Sequence, residues 1–398
     1  MLPEKTDVAI VGAGIVGLAT AYQISERYPQ LSICVLEKEP LVGQHQSGRN
    51  SGVLHSGIYY KPGSLKARNC REGRQAMEQF CATHGIPFEQ CGKVIVAVDD
   101  CELPALQRIF DRGCENGVQC ELIGPERLRE LEPHAAGVRA IHVPEAGIVD
   151  FPLVCEKLAE LIQQRGGTIA THTCVTKILR RMQQVVVETE RGSVQASHLI
   201  NCAGLYSDRV VEMSGEAAGA KIVPFRGEYY ELKSDAFHLC RNLIYPVPDP
   251  KFPFLGVHFT RMIRGGVECG PNAVLALARE GYRVSDFRLK ELAESLGYGG
   301  FRRLALRHWR MGLGEMYRSL SKSAFVRALR HLVPDLRGDQ LESGRSGVRA
   351  QAVLPDGKMV DDFLIQQTGP LIHVVNAPSP AATAALTIGN TIVDRLPL

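Results

Sequence analysis

The segment from Asp7 to Glu37 leaves this chain few ways to begin folding. Asp7-Val8-Ala9-Ile10-Val11 is a short apolar run of strand-forming residues, and it ends in Gly12-Ala13-Gly14-Ile15-Val16-Gly17. Leu18, Ala21, Tyr22 and Ile24 then recur at helix spacing, and Ser32-Ile33-Cys34-Val35-Leu36 reads as a second strand that stops at Glu37. The glycines serve separate ends, giving a tight turn, room for a pyrophosphate, and close packing of helix on strand. The helix N-terminus holds the phosphate charge. Glu37 stands about 20 residues past Gly17, where an acid takes the ribose hydroxyls and repels a 2′-phosphate. Strand, glycines, helix, strand and acid in that order predict a dinucleotide site.

NAD and FAD both fit this opening. A flavin enzyme returns to its nucleotide domain late in the chain, and two later segments suit that return. Ala196-Ser197-His198-Leu199-Ile200-Asn201-Cys202-Ala203-Gly204 is a strand ending in small residues. Pro378-Ser379-Pro380-Ala381-Ala382-Thr383-Ala384-Ala385 opens a small-residue helix whose N–H groups suit an anionic flavin edge. Either segment alone reads as core packing, and there is no second G-x-G-x-x-G for a separate NAD(P)H site. The combination favours FAD.

The remaining composition sets bounds. A chain of 398 residues exceeds one typical domain, so two are expected. Charged residues are 22% and hydrophobic residues 45%, a globular balance. With 46 basic and 43 acidic residues the net charge is +3, too small for a nucleic-acid binder over the whole surface. No apolar run approaches the ~18 residues of a spanning helix. The 12 cysteines include no C-x-x-C pair, and Cys34 and Cys202 sit inside apolar runs, so they read as packing and not as disulfides or a metal site. Met1 to Asp7 turns directly into a strand without a signal-peptide pattern, which predicts a cytoplasmic protein.

Several long segments resemble one family. Ser47-Gly48-Arg49-Asn50-Ser51-Gly52-Val53-Leu54-His55-Ser56-Gly57-Ile58-Tyr59-Tyr60-Lys61-Pro62-Gly63-Ser64-Leu65-Lys66-Ala67 is similar to the flavin-facing segment of L-2-hydroxyglutarate dehydrogenases (oxidases), which are D-amino-acid-oxidase-like flavoproteins. Pro224–Tyr230, Tyr245–Pro250, Pro253–Arg261, Gly270–Ala276, Ser346–Ala352 and Asn376–Thr383 carry the same resemblance. Arg264-Gly265-Gly266 departs from it, standing where an Asp-Gly turn is expected.

The resemblance implies an α/β chain of the D-amino-acid-oxidase-like flavoprotein fold. A Rossmann-like FAD-binding domain would take residues 1–88, 147–216 and 342–398. A discontinuous α+β substrate domain would take 89–146 and 217–341, with a mixed sheet that includes Lys221–Lys233 and Gly266–Gly270. FAD contacts are expected from Gly12, Gly14, Ile15, Val16, Gly17, Glu37, Lys38, Arg49, Asn50, Ser51, Val175, Ala203, Gly204, Leu205, Ser379, Ala381, Ala382 and Thr383. The implied reaction oxidises L-2-hydroxyglutarate to 2-oxoglutarate by hydride transfer from C2 to flavin N5. Handedness at C2 rests on the resemblance alone.

Such chemistry needs a proton acceptor and carboxylate binders. His55 is the candidate base, since imidazole titrates near working pH, and His258 competes with it. Each also reads as a structural histidine. Arginine suits a carboxylate through its planar fork, so Arg349 comes first, with Arg261 and Lys61 behind it. Tyr60, Tyr245 and Asn272 are candidate donors. Phe301–Val333 sets Arg302, Arg303, Arg307, Arg310, Arg318, Lys322, Arg327 and Arg330 against one acid, Glu315, with Trp309 and many apolar residues between them. This reads as a helix on an anionic membrane surface or as an amphipathic helix packed on the substrate domain; nucleic acid is a weaker third. Membrane contact suits delivery of electrons to a quinone, with oxygen the other acceptor, and would place the protein on the inner face of the membrane. The rival activities are oxidation of another small acid, such as an amino acid or glycerol 3-phosphate, and a basic membrane- or RNA-binding protein that keeps flavin structurally.

Overall fold

The computed structural model describes residues 2–181, 184–249 and 255–397; Pro250, Pro253 and Phe254 of the sequence motifs lie outside them. Lys5–Val11 runs parallel to Ile33–Leu36 on one side and to Gly192–Asn201 on the other, and Thr168–Ala170 and Leu371–Asn376 extend the parallel set. Val8 to Val11 and Ile33 to Leu36 are buried throughout, as strands covered on both faces require. Ile15–Arg27, Phe151–Gln164 and Ala385–Val393 are helices that share one apolar cluster, with Ile10, Leu18, Ile24, Leu158 and Ile388 among its members. Each such side chain contributes roughly 1.5–3 kcal/mol by leaving water. The expected late helix begins at Ala385; residues before it form turns, because Pro378 and Pro380 donate no backbone N–H.

A second sheet of nine strands forms the other half. Its order is Val274–Leu275, Lys221–Leu232, Val267–Gly270, His258–Arg261, Leu243–Pro246, Lys93–Ala97, Arg139–Val143, Glu121–Ile123, with Leu341–Val353 also along Lys221–Leu232. That last pairing sets Arg349 opposite Phe225 and carries the sheet to Val353, past residue 342, where the sequence reading returns the chain to the first domain. Hydrogen bonding along a long edge, which local sequence does not reveal, sets this limit.

Register decides which side chains share a face. Tyr245 lies opposite Ile95, and its ring centroid is 4.0 Å from that of His258. Strand alternation therefore puts Lys93, Ile95, Tyr245 and His258 on one face. Phe259 turns to the other, into a core with Val94 and Ile244.

The 301–333 stretch is three helices, not one: Gly299–Arg307, Trp309–Leu320 and Lys322–Arg330, broken at His308 and Ser321. The third buries Phe325 and Leu329 against the second sheet. The second is inverted, with Glu315 its buried residue and Trp309, Leu313, Met316, Tyr317 and Leu320 exposed.

Between the two halves, Arg279 forks onto buried Asp208, with Nη2 2.8 Å from Oδ2, while Asp208 also accepts the Ile222 N–H at 3.0 Å. Asp208→Ala leaves this guanidinium buried without its carboxylate. The substitution should cost about 3–5 kcal/mol, seen as a lower urea-unfolding midpoint than wild type.

Candidate active site

The glycine turn closes where the first sheet's strands end. Gly12 has φ +101, and a Cβ there would lie 2.6 Å from the Cys202 carbonyl oxygen, so only glycine lets the two loops approach. Gly14 faces Ser47, whose Oγ accepts the Ile15 N–H at 2.9 Å, and Val16 and Gly17 follow in the first helical turn. Glu37 is buried. Its Oε2 accepts the Ala13 N–H at 2.7 Å and its Oε1 the Glu39 N–H at 2.9 Å. Each carboxylate oxygen keeps a second lone pair, so the acid is positioned for a ribose diol. The turn, the oriented acid and the adjoining small-residue loop fit FAD.

Several of the other residues expected to meet the cofactor have structural duties. Lys38 pairs with Glu39 and Glu280 and lies 3.1 Å from His45 Nε2, so its ammonium sits among the acids of that cluster. Arg49 lies over the Tyr282 ring at 4.0 Å. Asn50 donates to the Gln46 and Ser47 carbonyls and accepts the Gly52 N–H, bracing the turn that holds Ser51. Val175 is buried beside Leu36. The Ala203 N–H bonds Asn201 Oδ1 at 3.0 Å, Gly204 has φ +53, and the Leu205 carbonyl is taken by Arg279. Ser379 lies near the Tyr60 hydroxyl. Ala381 and Ala382 pack on the first core. Thr383 Oγ1 donates to the Val53 carbonyl and accepts the His55 N–H, both at 3.2 Å.

His55 is thus fixed through its backbone, its carbonyl also accepting from Cys70 Sγ at 3.2 Å. Burial, then the charges of Lys93, His258 and Lys66, bring its imidazole down to about 3. His258 is 6% exposed, with Nδ1 2.9 Å from the Gly256 carbonyl. A carbonyl only accepts, so Nδ1 carries the hydrogen and Nε2 the lone pair. Burial lowers His258 to about 4; the Gly256 bond opposes this, and the charges of Arg349 and Lys93 reinforce it. Both rings are neutral near neutral pH, the form that accepts a proton.

Arg349 belongs to this group. Burial lowers its pKa, while Tyr229 and Glu315 hold it up. Tyr245 and Tyr60 join the same group, with Lys66 Nζ 4.8 Å from the Tyr60 ring. Arg261 does not join: strand alternation turns it from His258, and it pairs with Glu89. Asn272 spends both ends of its amide on Glu228, at 2.8 and 2.7 Å. Lys61 is exposed. Lys93, Tyr59 and Tyr229 were not foreseen, although a lysine opening the apolar run Lys93-Val94-Ile95-Val96-Ala97 is a readable signal.

A family model described as FAD dependent oxidoreductase (DAO) matches residues 7–395. The chain belongs to this family of FAD-dependent oxidoreductases. It is 51% identical to the L-2-hydroxyglutarate dehydrogenase of Indibacter alkaliphilus, over 97% of this chain and 98% of the relative. It is also 46% identical to the enzyme of that name from Escherichia coli strain K12, over 98% and 93%. Among solved structures, the L-alpha-glycerophosphate oxidase of Mycoplasma pneumoniae with FAD bound superposes with TM-score 0.80 at 24% identity, covering 98% of this chain and 94% of that one. Glycine oxidase from Geobacillus kaustophilus gives 0.74 at 19%, covering 100% and 96%.

The two histidines also set an acid response. Their folded values lie below the ordinary 6.5, so as pH falls from 6.5 towards about 4 for His258 and about 3 for His55 the unfolded chain takes up protons that the folded chain refuses. Stability should fall through that window and gain nothing from these groups above it. The melting temperature should fall less steeply with acid in His258→Asn and in His55→Asn.

Proposed function

We propose that the protein oxidises L-2-hydroxyglutarate to 2-oxoglutarate with FAD as cofactor. The observation that carries this reading is 51% identity over 97% of the chain to a relative named for that substrate. The site suits this chemistry, with neutral imidazoles beside a half-buried arginine on one wall. FAD, when bound, supplies the two-electron redox chemistry. Arg349 orients the carboxylate next to the reacting carbon through its planar fork. His55 takes the hydroxyl proton. The bond that fixes His258 as an Nδ1–H tautomer favours a second reading, with His258 Nε2 as acceptor. Tyr245 holds the His258 ring in place by ring contact.

The test is anaerobic absorbance of the purified holoenzyme. L-2-hydroxyglutarate should bleach the oxidised-flavin band while the D-isomer, glycine and glycerol 3-phosphate leave it; a band that L-2-hydroxyglutarate does not bleach refutes the substrate. His55→Asn and His258→Asn, compared by bleaching rate across pH, identify the acceptor as the variant that loses the pH-dependent rise.

No helix among the described residues is long and apolar enough to cross a membrane. We further propose peripheral attachment through the Trp309–Leu320 helix, on the inner face of the membrane, with a quinone rather than oxygen as electron acceptor. Trp309 and Leu320 are 55% and 76% exposed, and Arg302, Arg303, Arg307 and Arg310 are exposed on the same helical pair. Apolar residues ringed by cations suit an anionic lipid surface. The protein should sediment with phosphatidylglycerol vesicles at low salt and not with phosphatidylcholine vesicles. Leu313→Asp/Leu320→Asp should abolish this with soluble turnover intact; sedimentation unchanged in that variant refutes the assignment.

A further inference from the structure

We infer that Lys93 binds the second carboxylate of the substrate, the one remote from the hydroxyl-bearing carbon. The inference rests on the dicarboxylate substrate proposed above and assigns its far end.

Lys93 is 1% exposed and opens a strand whose next four residues are buried and apolar. Among the described residues no carboxylate pairs with it and no hydrogen-bond acceptor meets it. The protein instead supplies aromatic faces, with Nζ 4.8 Å from the Tyr59 ring centroid and 5.0 Å from that of Tyr245. Such contacts return about 2 kcal/mol to a desolvated cation. Withdrawing an ammonium from water costs several kcal/mol, so the rings leave the charge largely uncompensated. Beside it, the Tyr59 hydroxyl is buried and has no hydrogen-bond partner among the described residues. An ammonium over the Tyr59 ring and the unpartnered hydroxyl on that same ring give two donors suited to one carboxylate.

Placement selects which carboxylate. Lys93, Tyr245 and His258 share the sheet face that looks towards His55. The Lys93 charge is felt by both imidazoles, and His258 also feels Arg349. His258 therefore lies between two cations, on a strand between theirs. The Arg349 strand touches the cofactor segment, where the Ala350 N–H donates to Gln46 Oε1 at 2.9 Å. Arg349 accordingly takes the carboxylate beside the carbon that reacts, and Lys93, on the far side of His258 from Arg349, takes the other. A desolvated cation there also explains selectivity, since a neutral terminus would leave it unpaired.

Lys93→Met in the holoenzyme keeps the stem and removes the charge. The expected result is a rise of about 30-fold or more in KM for L-2-hydroxyglutarate, with kcat little changed. Preference over L-2-hydroxypentanoate, which carries a methyl in place of the distal carboxylate, should fall by the same factor. The Kd of glutarate, read from the perturbed flavin spectrum, should rise in parallel, and Lys93→Arg should restore part of each. Unchanged glutarate binding and unchanged preference overturn the inference. So does an altered flavin spectrum with preference intact, which would assign Lys93 to the cofactor. If wild type is not reduced by L-2-hydroxyglutarate, the proposed function falls while glutarate binding still decides the role of Lys93. Removing a desolvated charge favours folding of Lys93→Met. Should that variant nonetheless fail to fold, Tyr59→Phe decides by the same readouts, with an expected weakening of glutarate binding of about fivefold.

Discussion

Parallel pairing of Lys5–Val11 with Ile33–Leu36 and Gly192–Asn201 determines where everything else must go. Strands that run the same way end at the same edge, so the Gly12 turn, Glu37 and the Ala203–Leu205 loop meet although they are far apart in sequence. Parallel strands also need long crossovers. The chain uses that necessity to leave the first sheet, build most of a second and come back. The segment from Val53 to Tyr60 is caught between the two, and Thr383 joins it to the returning chain.

How much of this was legible depended on the range of the interaction. The Gly12–Gly17 turn and Glu37 could be read because strand, turn, helix and acid are local and each carries its own signal. Lys93 carries a local signal, a lysine opening an apolar run, but its place beside Tyr245 and His258 comes from strand register that no short motif encodes. Arg261 shows the converse error. It stands near His258 in sequence, but a period of two turns it away. Asn272 sits in a motif and is buried, yet both ends of its amide are engaged by Glu228. The charge count across 301–333 was correct; breaks at His308 and Ser321 divide that stretch into helices with different fates, one packed and one exposed.

Low polarity is what gives the central wall its chemistry. Burial lowers the basicity of His55 and His258, and nearby cations lower it further, so the imidazoles stay unprotonated where water would leave them partly charged. The same environment amplifies the field of Arg349. A wall with cations, neutral bases and aromatic rings is selective before any substrate contact forms: it attracts anions and offers proton acceptors that do not compete with them for charge.

The inverted helix Trp309–Leu320 has a consequence for how the molecule changes over generations. It is pinned to the body through Glu315, which accepts the Ala273 N–H at 2.9 Å, and not through its apolar stripe. Residues on that stripe are released from the volume constraints that govern a packed core. They can drift with the surface they meet while the sheet beneath keeps its register, so the outer helix is free to adapt at a different pace from the wall that binds substrate.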